Sequence, residues 1–344
     1  MHTHTVGVIG CGYWGPNLVR NCQAIPEARV KYVCDLDQSR LDYMSSLYQD
    51  VEATKDYRQI FNDPEVDSVF IATPVATHSK LGIESLEAGK NTFIEKPLSP
   101  SVRECNRLIE AADERFLVLM VGHTFVFSSP VREIKKIIDS GEIGEVMYVA
   151  SRRLNLGLFQ QDINVAWDLA PHDLSIVLYL LEKQPISINC QGKSHLVDGM
   201  EDITSITLNF ENGCIALIQS SWIDPRKVRE MTIVGTKKMI VFDDTEPLEK
   251  VRIYDKSVNV PPHYDTFAEF HYSYHYGDVR IPFIKQTEPL RVECQHFFDC
   301  IDKGIDSLSS GKKGREVVAI LEAAGESLKN NGSAMPFLAK AEEN

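Results

Sequence analysis

The sequence has no apolar run of 18 residues, so no membrane-spanning helix is predicted, and its start, MHTHTVGVIG, lacks the basic region of a signal peptide. None of the eight cysteines forms a CxxC pair, and most lie in apolar stretches such as YVC and SINC. This pattern predicts small buried thiols in a reducing compartment, not a metal site or a disulfide framework. Acidic side chains also outnumber basic ones, 49 to 36, which gives a formal net charge of −13. We therefore expect a cytoplasmic protein without general affinity for nucleic acid or anionic membranes.

The chain is long enough for two domains, with 344 residues of which 43% are hydrophobic. Up to about residue 122, short apolar strands alternate with helical segments, the pattern of βαβ units around a parallel sheet. Beyond residue 123 strands follow one another, and FENGCI places Asn-Gly between two alternating runs, as in a hairpin. We predict an α/β protein in which residues 1–122 form a Rossmann domain with a doubly wound parallel sheet. Residues 123–344 are predicted to form an α/β domain with an open, mixed, largely antiparallel sheet.

The second half of the chain allows four further predictions. Pro171–Lys183 has a helical pattern, and the Pro-, His- and Tyr-rich stretch Pro261–Pro282 is typical of a long surface loop. Two terminal helices, Glu288–Lys303 and Gly314–Lys329, are able to pack back on the first domain. The strand-rich stretch Ile203–Phe242 has too few helices to cover both faces of its sheet, and an uncovered apolar face needs a partner. We therefore expect a homodimer or homotetramer built through the outer face of this sheet.

A glycine motif follows the first strand, in the segment VGVIGCGYWGPN. Gly10, Gly12 and Gly15 have the GxGxxG spacing between a strand and a helix, which is the context of a dinucleotide-binding loop. Asp35 ends the second strand, where an acid can bind the ribose 2′-hydroxyl and repel a 2′-phosphate. The alternative is three ordinary turn glycines in a strand–helix unit. The combination with Asp35 favours a cofactor site for NAD(H) over NADP(H).

Two further motifs contain chemically capable side chains. In FIEKPLS, Lys96 stands at the carboxyl end of a predicted parallel strand, the edge at which ligands bind in such sheets, although it could be an ordinary solvated lysine. In NVAWDLAPHDLSIVLYLL, Asp168 and His172 are spaced to lie on one side of a helix start near Leu169. A carboxylate there could orient the imidazole. Spacing alone favours the other interpretation, in which Asp168 is a helix N-cap and His172 is a satisfied structural histidine.

The order GxGxxG with Asp35, then ATPVATH, then EKP, then Asp168-x-x-x-His172 resembles the Gfo/Idh/MocA oxidoreductase family over nearly the whole chain. The resemblance implies hydride transfer between NAD and a secondary hydroxyl of a sugar or cyclitol. It implies that Lys96 stabilises the reacting oxygen, that His172 is the general base and that Asp168 orients it. Further cofactor-contacting positions implied by the same motifs are Tyr13, Trp14, Thr73, Pro74, His78, Glu95, Lys96 and Pro97, with a proline that is usually cis.

The substrate is predicted less directly. Many family members have an Arg-Phe pair after the sixth strand, whereas this chain has GHTFVFSSP, which puts His123 at a position that faces the pocket. The variant motifs GCGYWGPN, GHTF and WDLAPHD resemble members that oxidise a nucleotide-linked hexose at C3. Local cations could receive a phosphate, or could be plain surface residues. The candidate substrate contacts are His123, Arg152, Arg153, Asn155, Trp167, Arg226 and Lys227.

Three alternatives to this function stay open. The same enzyme could act as a keto-sugar reductase, and it could act on inositol or a free sugar. A third alternative belongs to another class, a non-catalytic NAD-sensing binding protein, which is disfavoured because Lys96, Asp168 and His172 are all present.

Overall fold

The structure is a computed structural model, and it describes residues 3–157, 159–160, 163–259 and 273–337. The chain divides into two compact units. Unit 1 comprises Met1–Ser128 and Thr287–Glu322, and unit 2 comprises Ser129–Gln286 and Ala323–Asn344. The division predicted at residues 122 and 123 thus lies just before the observed one, and segment 287–322 returns to the first unit.

Unit 1 contains a six-stranded sheet of order β3-β2-β1-β4-β5-β6 in which all pairs are parallel. This order confirms the predicted Rossmann arrangement. Its elements are β1 (His4–Ile9), α1 (Gly15–Gln23), β2 (Ala28–Cys34), α2 (Gln38–Leu47), β3 (Glu52–Thr54), α3 (Arg58–Asn62), β4 (Ser68–Ile71), α4 (Val75–Glu87), β5 (Asn91–Glu95), α5 (Val102–Asp113), β6 (Leu119–Gly122) and the 3₁₀ helix Thr124–Phe127.

The central strands of unit 1 are buried on both faces, which is why they are continuous apolar runs in the sequence. Every residue of β4 and β6 is buried. Phe70 on β4 and Phe93 on β5 stack with their ring centroids 4.8 Å apart, and Phe297 lies edge-on to Phe70 at 5.1 Å. Because Phe297 comes from the late segment of the chain, this aromatic cluster explains why residues 287–322 belong to unit 1.

Unit 2 contains a nine-stranded sheet of order β14-β13-β12-β11-β7-β10-β9-β8-β15. Only the β7–β10 pair is parallel among the described strands, so the predicted mixed, largely antiparallel sheet is confirmed. Its strands are β7 (Val146–Leu156), β8 (Ser187–Lys193), β9 (Ile203–Asn209), β10 (Ile215–Ser221), β11 (Ile223–Gly235), β12 (Met239–Asp243), β13 (Val251–Asn259), β14 (Ser273–Arg280) and β15 (Met335–Pro336). The helices of the second half are α6 (Ser129–Asp139), α7 (Val165–Leu181), α8 (Pro289–Lys303) and α9 (Gly311–Lys329).

One face of the unit 2 sheet packs against α7, which contacts β7, β9 and β10. Side chains alternate across each strand, so every second residue of β7 and β10 points to the opposite face. There Tyr148, Ile215 and Leu217 remain 38%, 37% and 38% exposed. Tyr148 stands in register with Ile215, and Ala150 with Leu217, so these side chains form a continuous apolar strip.

The hairpin predicted at FENGCI joins β9 to β10, and Gly213 in its turn has φ of +80°. Two local predictions were wrong in their boundaries. The long helix begins at Val165 rather than Pro171, and β14 occupies part of the predicted loop Pro261–Pro282. Residues 260–272 of that loop lie outside the described residues. In the part of the chain that the structure describes, no helix has the length and apolar character needed to cross a membrane.

Candidate active site

The glycine-rich loop between β1 and α1 lies at the carboxyl edge of the parallel sheet. Gly10 has φ of +96°, and a Cβ there would lie 2.5 Å from the carbonyl oxygen of Ala72. A Cβ on Gly15 would collide with the carbonyl oxygen of Gly10. Gly12 differs, because a Cβ there would meet only the Arg40 guanidinium, at 3.7 Å. Gly10 and Gly15 therefore permit the turn itself, while Gly12 leaves the outer side of the loop open to a phosphate.

Asp35 follows β2 and holds the glycine-rich loop. Its Oδ2 accepts a hydrogen bond from the backbone N–H of Cys11 at 2.7 Å, and its Oδ1 accepts one from Asp37 N–H at 2.9 Å. Arg40, in the first turn of α2, brings Nη1 within 3.4 Å of Asp35 Oδ2. The sequence did not predict this contact. Arg40 follows Asp35 by five positions, and only the first turn of α2 brings its side chain back to the acid. The acid disfavours a cofactor 2′-phosphate and the guanidinium favours one, so the two charges oppose each other.

Two aromatic side chains extend the loop surface. Tyr13 is 82% exposed and Trp14 is 36% exposed, and their rings meet edge to face with centroids 5.4 Å apart. Both are therefore accessible to a ligand of the loop, and their contact with the cofactor stays a prediction.

His78 connects the segment after β4 to the segment after β5. The residue is buried, and its Nε2 lies 2.8 Å from the carbonyl oxygen of Thr73 while Nδ1 lies 2.9 Å from that of Pro97. Burial lowers the pKa of His78, against the two carbonyl acceptors, which favour its protonated form. His78 thus supports these two segments from inside instead of presenting its ring on their surface. Pro74 begins α4 next to Thr73, whose hydroxyl pairs with that of Thr77.

Glu95, Lys96 and His123 lie at the ends of the neighbouring strands β5 and β6. The Lys96–Pro97 peptide bond is cis, and Lys96 is half-buried. Glu95 is 6% exposed, and burial raises its pKa to about 7 despite the adjacent ammonium of Lys96. His123 is 2% exposed, contrary to the pocket-facing position expected from the sequence, and burial together with Lys96 lowers its pKa to about 3. His123 is therefore a neutral imidazole beside the lysine.

A second buried carboxyl group joins this cluster from α8. Glu293 is fully buried, and its Oε2 accepts a hydrogen bond from the Thr124 hydroxyl at 2.7 Å. Burial, with the nearby charge of Glu95, raises the pKa of Glu293 well above its usual range. Its burial therefore favours the protonated form of the Glu293 carboxyl group. No sequence motif indicated it, because it lies far along the chain from Thr124 and Glu95.

In unit 2, Asp168 and His172 lie one turn apart on α7. The helix is capped by Asn164, whose Oδ1 accepts from the Trp167 backbone N–H at 3.2 Å, so Asp168 is not the N-cap. Pro171 is interior, although it cannot donate to the carbonyl of residue 167. The helix extends before it because Asn164 caps that end and because Val165 is completely buried. The spacing of Asp168 and His172 on one helix face holds, but with a different helix start.

Trp222, which no sequence motif indicated, reaches Asp168. The Trp222 indole Nε1 donates a hydrogen bond to Asp168 Oδ2 at 3.0 Å, within unit 2. The signal available in the sequence is a lone tryptophan, SSW, at the end of a predicted strand, which does not reveal its partner.

The structure corrects the expectation for the paired arginines. Arg153 is buried, and its guanidinium binds both oxygens of Asp173, at 2.6 and 3.1 Å. The Ser151 hydroxyl donates a further hydrogen bond to Asp173 at 2.8 Å. Asp173 therefore already neutralises the Arg153 charge that was predicted to bind the substrate. Arg152 points to the opposite face of the sheet, in register with Gln219 and Glu230. On the face of the sheet that α7 covers, Arg153 is buried, and the exposed Arg152 lies on the other face. Neither arginine is therefore an exposed cation on the same side of the sheet as His172.

The remaining candidate contacts keep their accessibility. Asn155 and Trp167 are half-buried, near the end of β7 and in the first turn of α7. Arg226 and Lys227 are exposed in the irregular start of β11, where its register with β7 shifts between Ile223 and Val228. Their role in substrate binding stays a prediction.

Two family models match the chain. One, described as an oxidoreductase family with an NAD-binding Rossmann fold, matches residues 4–123, and the other, the GFO/IDH/MocA C-terminal domain, matches residues 131–241. Together they cover more than half of the sequence. The chain therefore belongs to the Gfo/Idh/MocA oxidoreductase family, which confirms the resemblance and the prediction of an NAD-dependent oxidoreductase. The open Gly12, the turn at Gly10 and the acid Asp35 fit NAD.

Individual relatives agree with this assignment. The chain is 28% identical over 339 residues to an uncharacterized oxidoreductase, YrbE, of Bacillus subtilis, covering 94% of this chain and 93% of that protein. It is 25% identical over 319 residues to a scyllo-inositol 2-dehydrogenase (NAD(+)) of the same organism, with 88% and 87% coverage. The UDP-N-acetylglucosamine 3-dehydrogenase GnnA of Acidithiobacillus ferrooxidans superposes with a TM-score of 0.80 at 23% identity, over 97% of this chain and 100% of that one. That likeness shows the common fold.

Proposed function

We propose that this protein is an NAD(H)-dependent dehydrogenase that oxidises a secondary hydroxyl of a sugar, at C3 of a nucleotide-linked hexose. The observation that supports it most is in unit 1, where the glycine-rich loop, Asp35 and Lys96 follow strands of one parallel sheet and so share its carboxyl edge. A cofactor-binding loop and a lysine on the same edge suit a redox enzyme better than a binding protein. The dehydrogenase named among the relatives acts on a cyclitol hydroxyl, which is the same bond type.

Lys96 is proposed to stabilise the reacting oxygen. Its position directly after β5, next to the buried Glu95, fixes the backbone from which the ammonium extends. An ammonium hydrogen-bonded to a hydroxyl becomes more favourable as that oxygen gains alkoxide character. When bound, NAD supplies the acceptor for the hydride.

His172 is proposed to accept the hydroxyl proton. Asp168, one helical turn earlier, stabilises the imidazolium that results and orients the ring. Arg226 and Lys227 are exposed cations of unit 2, and we propose them as contacts for the diphosphate of a nucleotide-linked sugar. This substrate class is supported by the variant motifs of the sequence, and inositols and free sugars are the alternatives to be compared.

The experiment is a substrate screen followed by two variants. Nucleotide hexoses, inositols and free sugars are compared by NADH formation, the matching ketones by NADH consumption, and binding by thermal shift, where a ligand at 100 Kd adds about 2.7 kcal/mol. His172→Ala should lower kcat by roughly 10²–10⁴-fold, the range for lost acid–base catalysis, with NAD affinity unchanged. His275→Ala, which removes an exposed histidine of unit 2, is the matched control.

Lys96→Ala should also lower kcat. Lys96 and His172 belong to different units, so the double variant tests whether they act on the same substrate. If they do, its loss falls well short of the product of the two single losses. A His172→Ala enzyme with wild-type kcat and an unchanged pH profile would overturn the assignment and leave His172 as a structural histidine.

A further inference from the structure

Trp222 occupies the junction between β10 and β11 and is 1% exposed. Its side chain has one polar atom, the indole N–H, and a buried indole N–H normally has a hydrogen-bond partner. That partner is Oδ2 of Asp168 at 3.0 Å. Hydrogen bonds to an ionised carboxylate are stronger and more directional than those between neutral groups.

The surroundings of Trp222 leave the ring little freedom. Its backbone N–H donates to the carbonyl of Asp202 at 3.0 Å, and its own carbonyl accepts from Gly157 N–H at 2.9 Å. A Cβ on Gly157 would lie 2.6 Å from Cδ1 of the ring, so the absence of a side chain there lets the backbone lie against the indole. The Phe159 ring lies at a steep angle to it, with centroids 5.3 Å apart. The position of the donor is therefore fixed by the fold.

Asp168 is half-buried on the first turns of α7, and an aspartate side chain on a helix can adopt several rotamers. A rigid donor on Oδ2 selects one of them. Because Asp168 and His172 are one turn apart on the same helix, the selected rotamer sets where the carboxylate lies relative to the imidazole.

We propose that Trp222 is a positioning residue for catalysis, whose indole N–H holds Asp168 in the orientation that serves His172. The inference rests on the proposed function, in which His172 is the general base. It goes further by assigning the efficiency of the acid–base pair to a buried tryptophan on another element. The competing explanation is that Asp168 is present only to satisfy a buried indole, in which case the bond contributes to stability alone.

Trp222→Phe in the full-length protein is the main test, because it keeps an aromatic ring and removes the donor. We expect kcat to fall by roughly 10- to 100-fold, the range for losing one hydrogen bond to a charged group, while KM for the sugar and the Kd for NAD stay within about twofold. Phe159→Leu, which alters the packing against the same ring and keeps the donor, is the control and should lower kcat much less than Trp222→Phe does.

A second measurement is independent of turnover. The protein has three tryptophans, so its ¹H–¹⁵N spectrum contains three indole signals, and the one lost in Trp222→Phe is that of Trp222. Asp168→Asn replaces the charged acceptor with a neutral one of the same shape. It should shift the Trp222 signal and leave that of Trp14, which belongs to unit 1, in place.

The outcomes separate the two proposals. If the indole signal responds to Asp168→Asn but Trp222→Phe retains wild-type kcat, or loses no more than Phe159→Leu, the bond is structural and the positioning role is refuted. An indole signal that ignores Asp168→Asn refutes it as well. Failure of the wild-type protein to turn over any sugar or ketone with NAD(H) instead refutes the proposed function, whatever the spectra show.

Discussion

Glu95 should make unit 1 less stable as the pH rises through neutrality. The side chain is 6% exposed, its Oε2 accepts from the Lys96 backbone N–H at 3.2 Å, and its carboxyl group lies against Gly122 on the neighbouring strand. Burial raises the pKa from the ordinary glutamate value of 4.5 to about 7. Since one pKa unit corresponds to 1.36 kcal/mol, the difference amounts to roughly 3 kcal/mol.

The sign follows from where the proton is held. Folded Glu95 binds its proton more tightly than the unfolded chain does, so its contribution is fully present below about pH 4.5 and is lost as the pH rises to about 7. Glu95→Gln removes the titration and keeps the shape. The variant should match the wild type near pH 4.5 and exceed it by up to about 3 kcal/mol at pH 8, or about 6–12 °C in Tm.

The assay is thermal unfolding without cofactor, at half-unit steps from pH 4.5 to 8.5, for the wild type and the variant. Glu87→Gln is the control, because Glu87 is an exposed residue at the end of α4. A Tm difference between Glu95→Gln and the wild type that stays constant across this range would refute the reasoning. It would mean that Glu95 has the same pKa in the folded and the unfolded chain.

Three further outcomes are expected. Wild-type kcat/KM should be higher with NAD(H) than with NADP(H). Asp35→Ala should bring the two values closer, because it removes a contact to the ribose 2′-hydroxyl of NAD and a charge that repels the 2′-phosphate of NADP. A wild-type preference for NADP(H) would mean that Arg40 outweighs the acid. His78→Phe should lower the free energy of unfolding by about 1–3 kcal/mol, measured by urea denaturation, because it leaves a buried carbonyl without its donor. The chain should sediment as a dimer or tetramer at micromolar concentration, and Leu217→Asp, in the exposed apolar strip, should dissociate it; a wild-type monomer near 38.8 kDa contradicts this prediction.

The glycine-rich loop and the strand ends of unit 1 could be predicted from sequence because the sequence patterns that indicate them are local. Gly10 and Gly15 are required by a turn that spans only a few residues, and Asp35 follows from the length of one βαβ step. The position of Lys96 after a buried strand is likewise visible in a single heptapeptide. The parallel order of the sheet follows from the alternation of strands and helices along the chain.

The surroundings of these side chains were decided by tertiary structure. Glu293 reaches Thr124 across 169 positions of sequence, and Trp222 reaches Asp168 across 54, so no local pattern could pair them. The start of α7 depended on burial and on Asn164 as a cap, which outweighed the local signal of Pro171.

Burial also decided which charges are available. Arg153 is neutralised by Asp173 inside unit 2, whereas its neighbour Arg152 points to the other face of the sheet. The two adjacent arginines differ only by the alternation of a strand and by what packs on each face. Residue identity and short-range spacing thus determined which chemical groups this protein has. Long-range packing, through desolvation and hydrogen bonds between distant segments, determined which of them are charged, oriented and accessible.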